Sequence, residues 1–289
     1  MQDQASKLRN LAHENFKESV RIIAVTSGKG GVGKTSISTN LAITLAHMGK
    51  RVLIFDADMG LANIDIMLGI KPSFTLQHVL QGDKTLDEII VDGPAGIKII
   101  PASSGVQQLT QLTETQRSFF LSELNKLRDR IDILLIDTAA GIAPNVIEFV
   151  SASSEVIVVT TPEPTAITDA YALIKVLIRS LKPVVKTPKI YLFVNMVRDQ
   201  NEARDVENNL KLVSDRFLGV SLSSIGFMQK DDAVLRAVRK QVPFVLNNTP
   251  DRPSASIKML ASRLCAVNVQ EANISLSQFG QCITGAPES

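Results

Sequence analysis

A doubly wound α/β fold, with a mostly parallel sheet and helices on both faces, follows from three features of the 289-residue sequence. Short β-branched runs are apolar almost throughout, as strands covered on both faces are. Longer stretches of helical period separate them, so that strand–helix–strand units repeat, which favours parallel pairing with right-handed crossovers. No Gly/Ser- or Pro-rich linker and no internal repeat divides the chain, so one domain over residues 20–266 is the simplest account. The expected strands are Val20–Thr26, Arg51–Phe55, Ile97–Ile100, Ile131–Ile136, Val156–Thr161 and Lys189–Val194. Between them, Thr35–Met48 is read as a helix stopped by Gly49. Thr85-x-x-Glu88 has the spacing of a capping box. Glu114–Arg130 places Phe119, Phe120, Leu124 and Leu127 at helical intervals, and Thr165–Leu181 and Asn201–Phe217 behave likewise. Ahead of the first strand, Asp3–Val20 forms an appended helix with Ala5, Leu8, Ala12 and Phe16 on one face. After Arg263 there is no Lys or Arg, and the segment 267–289 is expected to be a tail, disordered or membrane-associating.

Composition narrows the function. Lys and Arg total 31 against 29 Asp and Glu, a net charge of +2, so bulk charge implies neither nucleic acid nor an anionic membrane. Two cysteines, Cys265 and Cys282, are too few for a disulfide scaffold, a multi-cysteine zinc site or an iron–sulfur cluster within one chain. The first twenty residues carry no apolar signal core, and no apolar run approaches the ~18–20 residues that span a bilayer. A soluble, cytoplasmic protein is expected.

The first strand runs into Gly28-Lys29-Gly30-Gly31-Val32-Gly33-Lys34-Thr35, which fits G-x-x-x-x-G-K-[ST] after a strand and before a helix. Glycines let backbone N–H groups turn inward around phosphates, and the helix from Thr35 adds the positive end of its dipole. In such a loop Lys34 reaches the β- and γ-phosphates and the Thr35 hydroxyl ligates Mg²⁺. Two more strands end in carboxylates: Asp56-Ala57-Asp58 and Asp137-Thr138-Ala139-Ala140-Gly141. Asp137 is read as holding Mg²⁺ through water, with Gly141 as hinge of the loop that follows. Asp56 is a supporting Mg²⁺ or switch residue. Asp65 is either part of the site or a cap.

The extra lysine, Lys29, marks a resemblance. GKGGVGKT resembles the deviant Walker A box of the MinD/ParA class of P-loop ATPases. The resemblance implies ATP and ADP as ligands of Gly28–Thr35, slow hydrolysis, and an ATP-dependent homodimer in which Lys29 reaches the partner's nucleotide. It also implies that Asp58 positions the attacking water and that Asn195 contacts the adenine. Nearby, Met196 and Gln229 depart from the class, which usually has Arg and Pro there. Asp56–Asp65, Asp137–Gly141, Glu163–Tyr171 and the N-terminal Asp3-Gln-Ala-Ser-Lys-Leu-Arg9 narrow the resemblance to the FlhG family, also called FleN or YlxH, over residues 2–265. That family limits the number and placement of bacterial flagella. Its N-terminal helix stimulates the FlhF-type GTPase, which assigns Gln4, Leu8 and Arg9 to that contact. A flagellar transcriptional regulator, switch-complex proteins and the inner face of the polar membrane are further partners that the family implies. The tail, with Leu276, Phe279 and Ile283, supports lipid binding poorly because it lacks cations. The rival reading is a ParA-type DNA-partitioning ATPase, with Lys175, Arg179, Lys182, Lys186 and Lys189 as its patch.

Overall fold

A computed structural model describes residues 20–58, 63–101, 109, 112–181, 187–247, 251–267 and 274–284. Among the described residues eight strands form one sheet: β1 (Arg21–Ser27), β2 (Val52–Ala57), β3 (Val91–Asp92), β4 (Lys98–Pro101), β5 (Ile133–Ala140), β6 (Glu155–Thr160), β7 (Lys189–Val197) and β8 (Ser223–Gln229). Their order is β3-β4-β2-β5-β1-β6-β7-β8. Only β3 is antiparallel, against β4; the other neighbours pair in parallel. The expected doubly wound architecture is therefore present.

Helices α1 (Lys34–His47), α2 (Asn63–Leu68), α3 (Leu76–Leu80), α4 (Leu86–Ile89), α5 (Glu114–Lys126), α6 (Pro144–Ser151), α7 (Pro164–Ser180), α8 (Gln200–Leu218), α9 (Asp232–Lys240), α10 (Arg252–Ala266) and α11 (Leu276–Ile283) pack against it. Strand side chains alternate between two cores. Ile23, Val25, Ile133, Leu135, Ile157 and Val159 meet α1 and α10 on one face. Ile22, Leu134 and Ile136 meet α3, α4, α5 and α11 on the other, and there Val156 and Val158 meet α6, α7 and α8. This two-sided burial is why the strands read as continuous apolar runs. α10 buries Ile257, Leu260, Ala261 and Leu264, which recur at helical spacing. The Thr85 box also forms: its hydroxyl accepts the Glu88 N–H, and the Glu88 carboxylate accepts the Thr85 N–H.

The tail needs correction in part. Residues 276–283 are the helix α11, whose Leu276, Phe279 and Ile283 are buried against α5 and α6. Each such burial stabilises docking by about 1.5–3 kcal/mol. Gly280 allows the close approach, since a Cβ there would lie 2.4 Å from Leu121 Cδ2. These three apolar side chains are thus committed to the protein's own core. The appended helix, with Gln4, Leu8 and Arg9, lies outside the described residues, as do Lys182 and Lys186. No helix among the described residues is long and apolar enough to cross a membrane.

Candidate functional site

β1 lies at the centre of the sheet between β5 and β6, and the chain leaves it at Ser27 into the glycine loop. Gly141 N–H bonds Ser27 O at 2.8 Å, tying the end of β5 to the start of the loop. Gly28 is required by crowding: a Cβ would sit 2.1 Å from the Asp169 carbonyl oxygen of α7. Gly33 is required twice over. Its φ of 88° is in the left-handed region, and a Cβ would meet Asn195 Nδ2 at 2.5 Å. Gly33 caps α1 with no side-chain hydrogen bond, and no acidic residue occupies the first turn. The orphan N–H groups and positive dipole of this 14-residue helix are left for an anion.

Two carboxylates flank that helix end. Asp56 on β2 and Asp137 on β5 are register partners on adjacent strands, and both are buried. Lys34 Nζ lies 3.3 Å from Asp137 Oδ1, and Ser38 Oγ donates to the same oxygen at 2.9 Å. Asp137 Oδ2 is buried without a protein partner among the described residues. Asp56 accepts the backbone N–H groups of Asp58 and Ile64, both at 3.3 Å. Its carboxyl is pushed up to about 7 by burial first and by the Asp137 charge second; the two N–H bonds only partly oppose this. An orphaned carboxylate oxygen, a second crowded carboxylate and the Thr35 hydroxyl make a hard, oxygen-rich set. Among the described residues no cluster of three His, Cys, Asp or Glu side chains could hold a metal alone. The set therefore suits Mg²⁺ completed by water and phosphate oxygens rather than an all-protein cage.

Two residues occupy positions the sequence did not foretell. Lys29 is held within its own protomer: Nζ donates to Glu163 Oε2 at 2.8 Å and to Thr165 Oγ1 at 3.0 Å, at the start of α7. Its ammonium draws the Glu163 carboxyl below the usual range. Both side chains are exposed, so the pair is solvent-screened and exchangeable. Asn195 is buried and holds the phosphate loop: Nδ2 donates to Val32 O at 2.8 Å, and Oδ1 accepts Met196 N–H at 2.8 Å. One N–H and one lone pair remain on that amide for any other contact. Met196 takes the left-handed backbone (φ 58°) beside it. Gln229 donates to Arg198 O at 2.8 Å. Asp58 lies just past β2, its N–H on Asp56. Ser38 and Glu163 were legible in principle, Ser38 as the i+4 neighbour of Lys34 and Glu163 as the residue before a helix-starting proline.

Known proteins resemble this chain in sequence and in fold. The protein family described as an AAA domain matches residues 20–189. The antiactivator FleN of Pseudomonas aeruginosa is 44% identical over 222 residues, 77% of this chain and 78% of its own. The flagellum site-determining protein YlxH of Helicobacter pylori is 36% identical over 83% of each. Among solved structures, a chain of the MinC:MinD cell division protein complex of Aquifex aeolicus superposes with a TM-score of 0.68 at 26% identity, covering 86% of this chain and 97% of that one. MinD of Pyrococcus horikoshii, complexed with Mg-ADP, has the same fold, with a TM-score of 0.68 at 24% identity over 88% and 100%. A deviant phosphate loop on a MinD-like sheet, with FleN and YlxH as relatives, places this chain in the MinD/ParA family of ATPases.

Proposed function

We propose that the chain is an ATP-dependent dimerising switch that hydrolyses ATP to ADP and phosphate and regulates flagellar number and placement, with a FlhF-type GTPase among its partners. The observation that carries the switch is the placement of two lysines in one loop, one buried on Asp137 and the other exposed and loosely held. The flagellar role is supported by the likeness to YlxH, a flagellum site-determining protein, and the regulatory role by the likeness to the antiactivator FleN.

The residues divide the work. Backbone N–H groups of Gly28–Gly33 and the α1 terminus bind the phosphates, and Lys34 turns from Asp137 toward them. Thr35, Asp137 and Asp56 would hold Mg²⁺, which supplies charge neutralisation on the β- and γ-phosphate oxygens. Asp58 orients the attacking water in line with the γ-phosphate. Asp56 keeps Asp58 in place by gripping the backbone N–H groups of Asp58 and Ile64. Lys29 leaves Glu163 and bonds the triphosphate of the second protomer, a stronger, charge-assisted and less screened contact. Loss of the γ-phosphate weakens that contact and the dimer loosens.

Light scattering in ADP, ATP and a slowly hydrolysed analogue tests the switch. Dimers are expected only with the latter two, and a monomer under all three conditions refutes it. Asp58→Ala is expected to slow hydrolysis on the order of 100-fold and to accumulate ATP-bound dimers, since a water-positioning carboxylate contributes at least that much. Phosphate release at the unaltered rate removes Asp58 from this role. Lys29→Ala should lose dimerisation and turnover while a single protomer still binds ATP. Equal loss of ATP binding by calorimetry contradicts action across the dimer. With the FlhF-type GTPase, Gln4→Ala and Arg9→Ala should abolish stimulation of its GTP hydrolysis.

A further inference from the structure

Ser38 is buried in α1, one turn beyond Lys34, with its hydroxyl 2.9 Å from Asp137 Oδ1 and 3.1 Å from Lys34 O. The carbonyl already lies within the helix, and a bond to it from Ser38 is the ordinary i−4 alternative for a helical serine. The carboxylate is the stronger acceptor, being charged and out of water. We propose that Ser38 is a positioning residue for the metal site: it keeps the Asp137 carboxylate oriented, with Oδ2 turned to the magnesium side, while Lys34 moves to the phosphates.

Lys34 and Asp137 form the argument. Oδ1 of Asp137 has two partners, Lys34 and Ser38, and Oδ2 has none among the described residues. The Lys34 contact is long at 3.3 Å, and a triphosphate carries more negative charge than one carboxylate, so the ammonium is drawn away when phosphate arrives. With Lys34 gone and no other donor, this buried carboxylate would rotate in search of a partner, because an unpaired charge in that setting is costly. Asp56 on the neighbouring strand raises that cost by repulsion. Ser38 belongs to the rigid first turns of α1 and does not need to follow the phosphates. It therefore holds Oδ1 through the exchange, and Oδ2, which has no partner among the described residues, would be available to the magnesium site. Hydroxyls that orient a metal-bearing carboxylate in this way typically set metal affinity over about 10–100-fold.

This inference rests on the ATPase reading, and the test separates the two. Ser38→Ala removes only the oxygen and improves helix propensity, so the fold is retained; an unchanged melting temperature without metal checks that. Binding of the Mg²⁺ surrogate Mn²⁺ to the protein–ADP complex is then followed by electron paramagnetic resonance, and binding of a fluorescent ATP analogue is titrated in EDTA. Ser38→Ala should weaken Mn²⁺ about tenfold and leave metal-free nucleotide affinity unchanged, and Ser38→Thr should restore Mn²⁺ affinity. Unaltered Mn²⁺ affinity in Ser38→Ala overturns the proposal and leaves the ATPase reading standing. Equal weakening with and without metal also overturns it, because the hydroxyl would then serve the loop as a whole. Failure of the unaltered chain to bind any nucleotide overturns both.

Discussion

Lys34→Ala is expected to weaken Mg-ATP binding at least about 100-fold, or about 2.7 kcal/mol, and to make the metal-free protein markedly less stable at alkaline pH. The first effect follows from removing a buried, charge-assisted donor to phosphate. The second follows from what Lys34 does before any nucleotide arrives. Asp56 and Asp137 lie side by side on β2 and β5, both shielded from water, and Lys34 is the cation that offsets Asp137. Even with Lys34 present, the Asp56 carboxyl is pushed up to about 7 by burial and by Asp137, from an ordinary 3.8. A raised carboxyl contributes stability that is full below the unfolded value, near 4, and that is lost as pH rises through the folded value, near 7. Without the lysine charge nearby, the Asp56 carboxyl resists ionisation further, and the loss extends to higher pH. Thermal melts in EDTA from pH 5 to 8.5 should show a decline for the unaltered chain, a decline continuing to higher pH for Lys34→Ala, and a flatter profile for Asp56→Asn. Parallel profiles for all three would mean that the two carboxylates do not burden the fold.

The same pair explains which parts of the site could be read in advance. Asp56 and Asp137 lie in the second halves of apolar strands, and Lys34 and Thr35 open α1 after a glycine loop; these patterns are local, so their places are legible in the sequence. The sheet followed for a similar reason: β1, β2, β5, β6 and β7 are buried on both faces and read as unbroken apolar runs. β8 was missed because it is mixed, Ser-Ser-Ile-Gly-Phe-Met-Gln, with only one well-packed neighbour on the sheet edge. The partners of Lys29 and Asn195 were missed because both contacts span more than 130 residues. No periodicity encodes them. Asn195 shows the difference well: its type suggests a base contact, whereas the fold first uses its amide to brace Val32 and to crowd Gly33. α11 shows the reverse. An amphipathic pattern in a tail free of cations is compatible with lipid or with a core, and only packing decides that Phe279 and its neighbours face the core.

The largest loss of fold stability is expected far from the phosphates, at Arg21→Ala. Arg21 begins β1 and makes a two-pronged pair with Glu155 at the start of β6, with Nε to Oε1 at 2.8 Å and Nη2 to Oε2 at 2.7 Å. Nη1 also donates to Leu264 O of α10 at 3.0 Å, and Tyr191 Oη donates to Glu155 Oε2 at 3.3 Å. Three strands thus meet on one fully buried carboxylate, whose main counter-charge is Arg21, and the same arginine ties α10 to them. The phenol of Tyr191 is driven upward, by burial first and then by that carboxylate, so it stays a donor. Replacing the arginine strands Glu155 in a place water does not reach, which costs about 3–5 kcal/mol. At roughly 2–4 °C per kcal/mol for a chain of this size, the melting temperature should fall on the order of 10 °C. The double variant Arg21→Met/Glu155→Leu should recover most of the loss, because a well-packed apolar pair avoids the desolvation of both charges. These residues lie at the strand ends opposite the glycine loop, so nucleotide affinity at a temperature well below melting should be unchanged in the single variant. A double variant no more stable than Arg21→Ala would show that the arginine acts through packing of its stem and its bond to α10, not through its charge on Glu155.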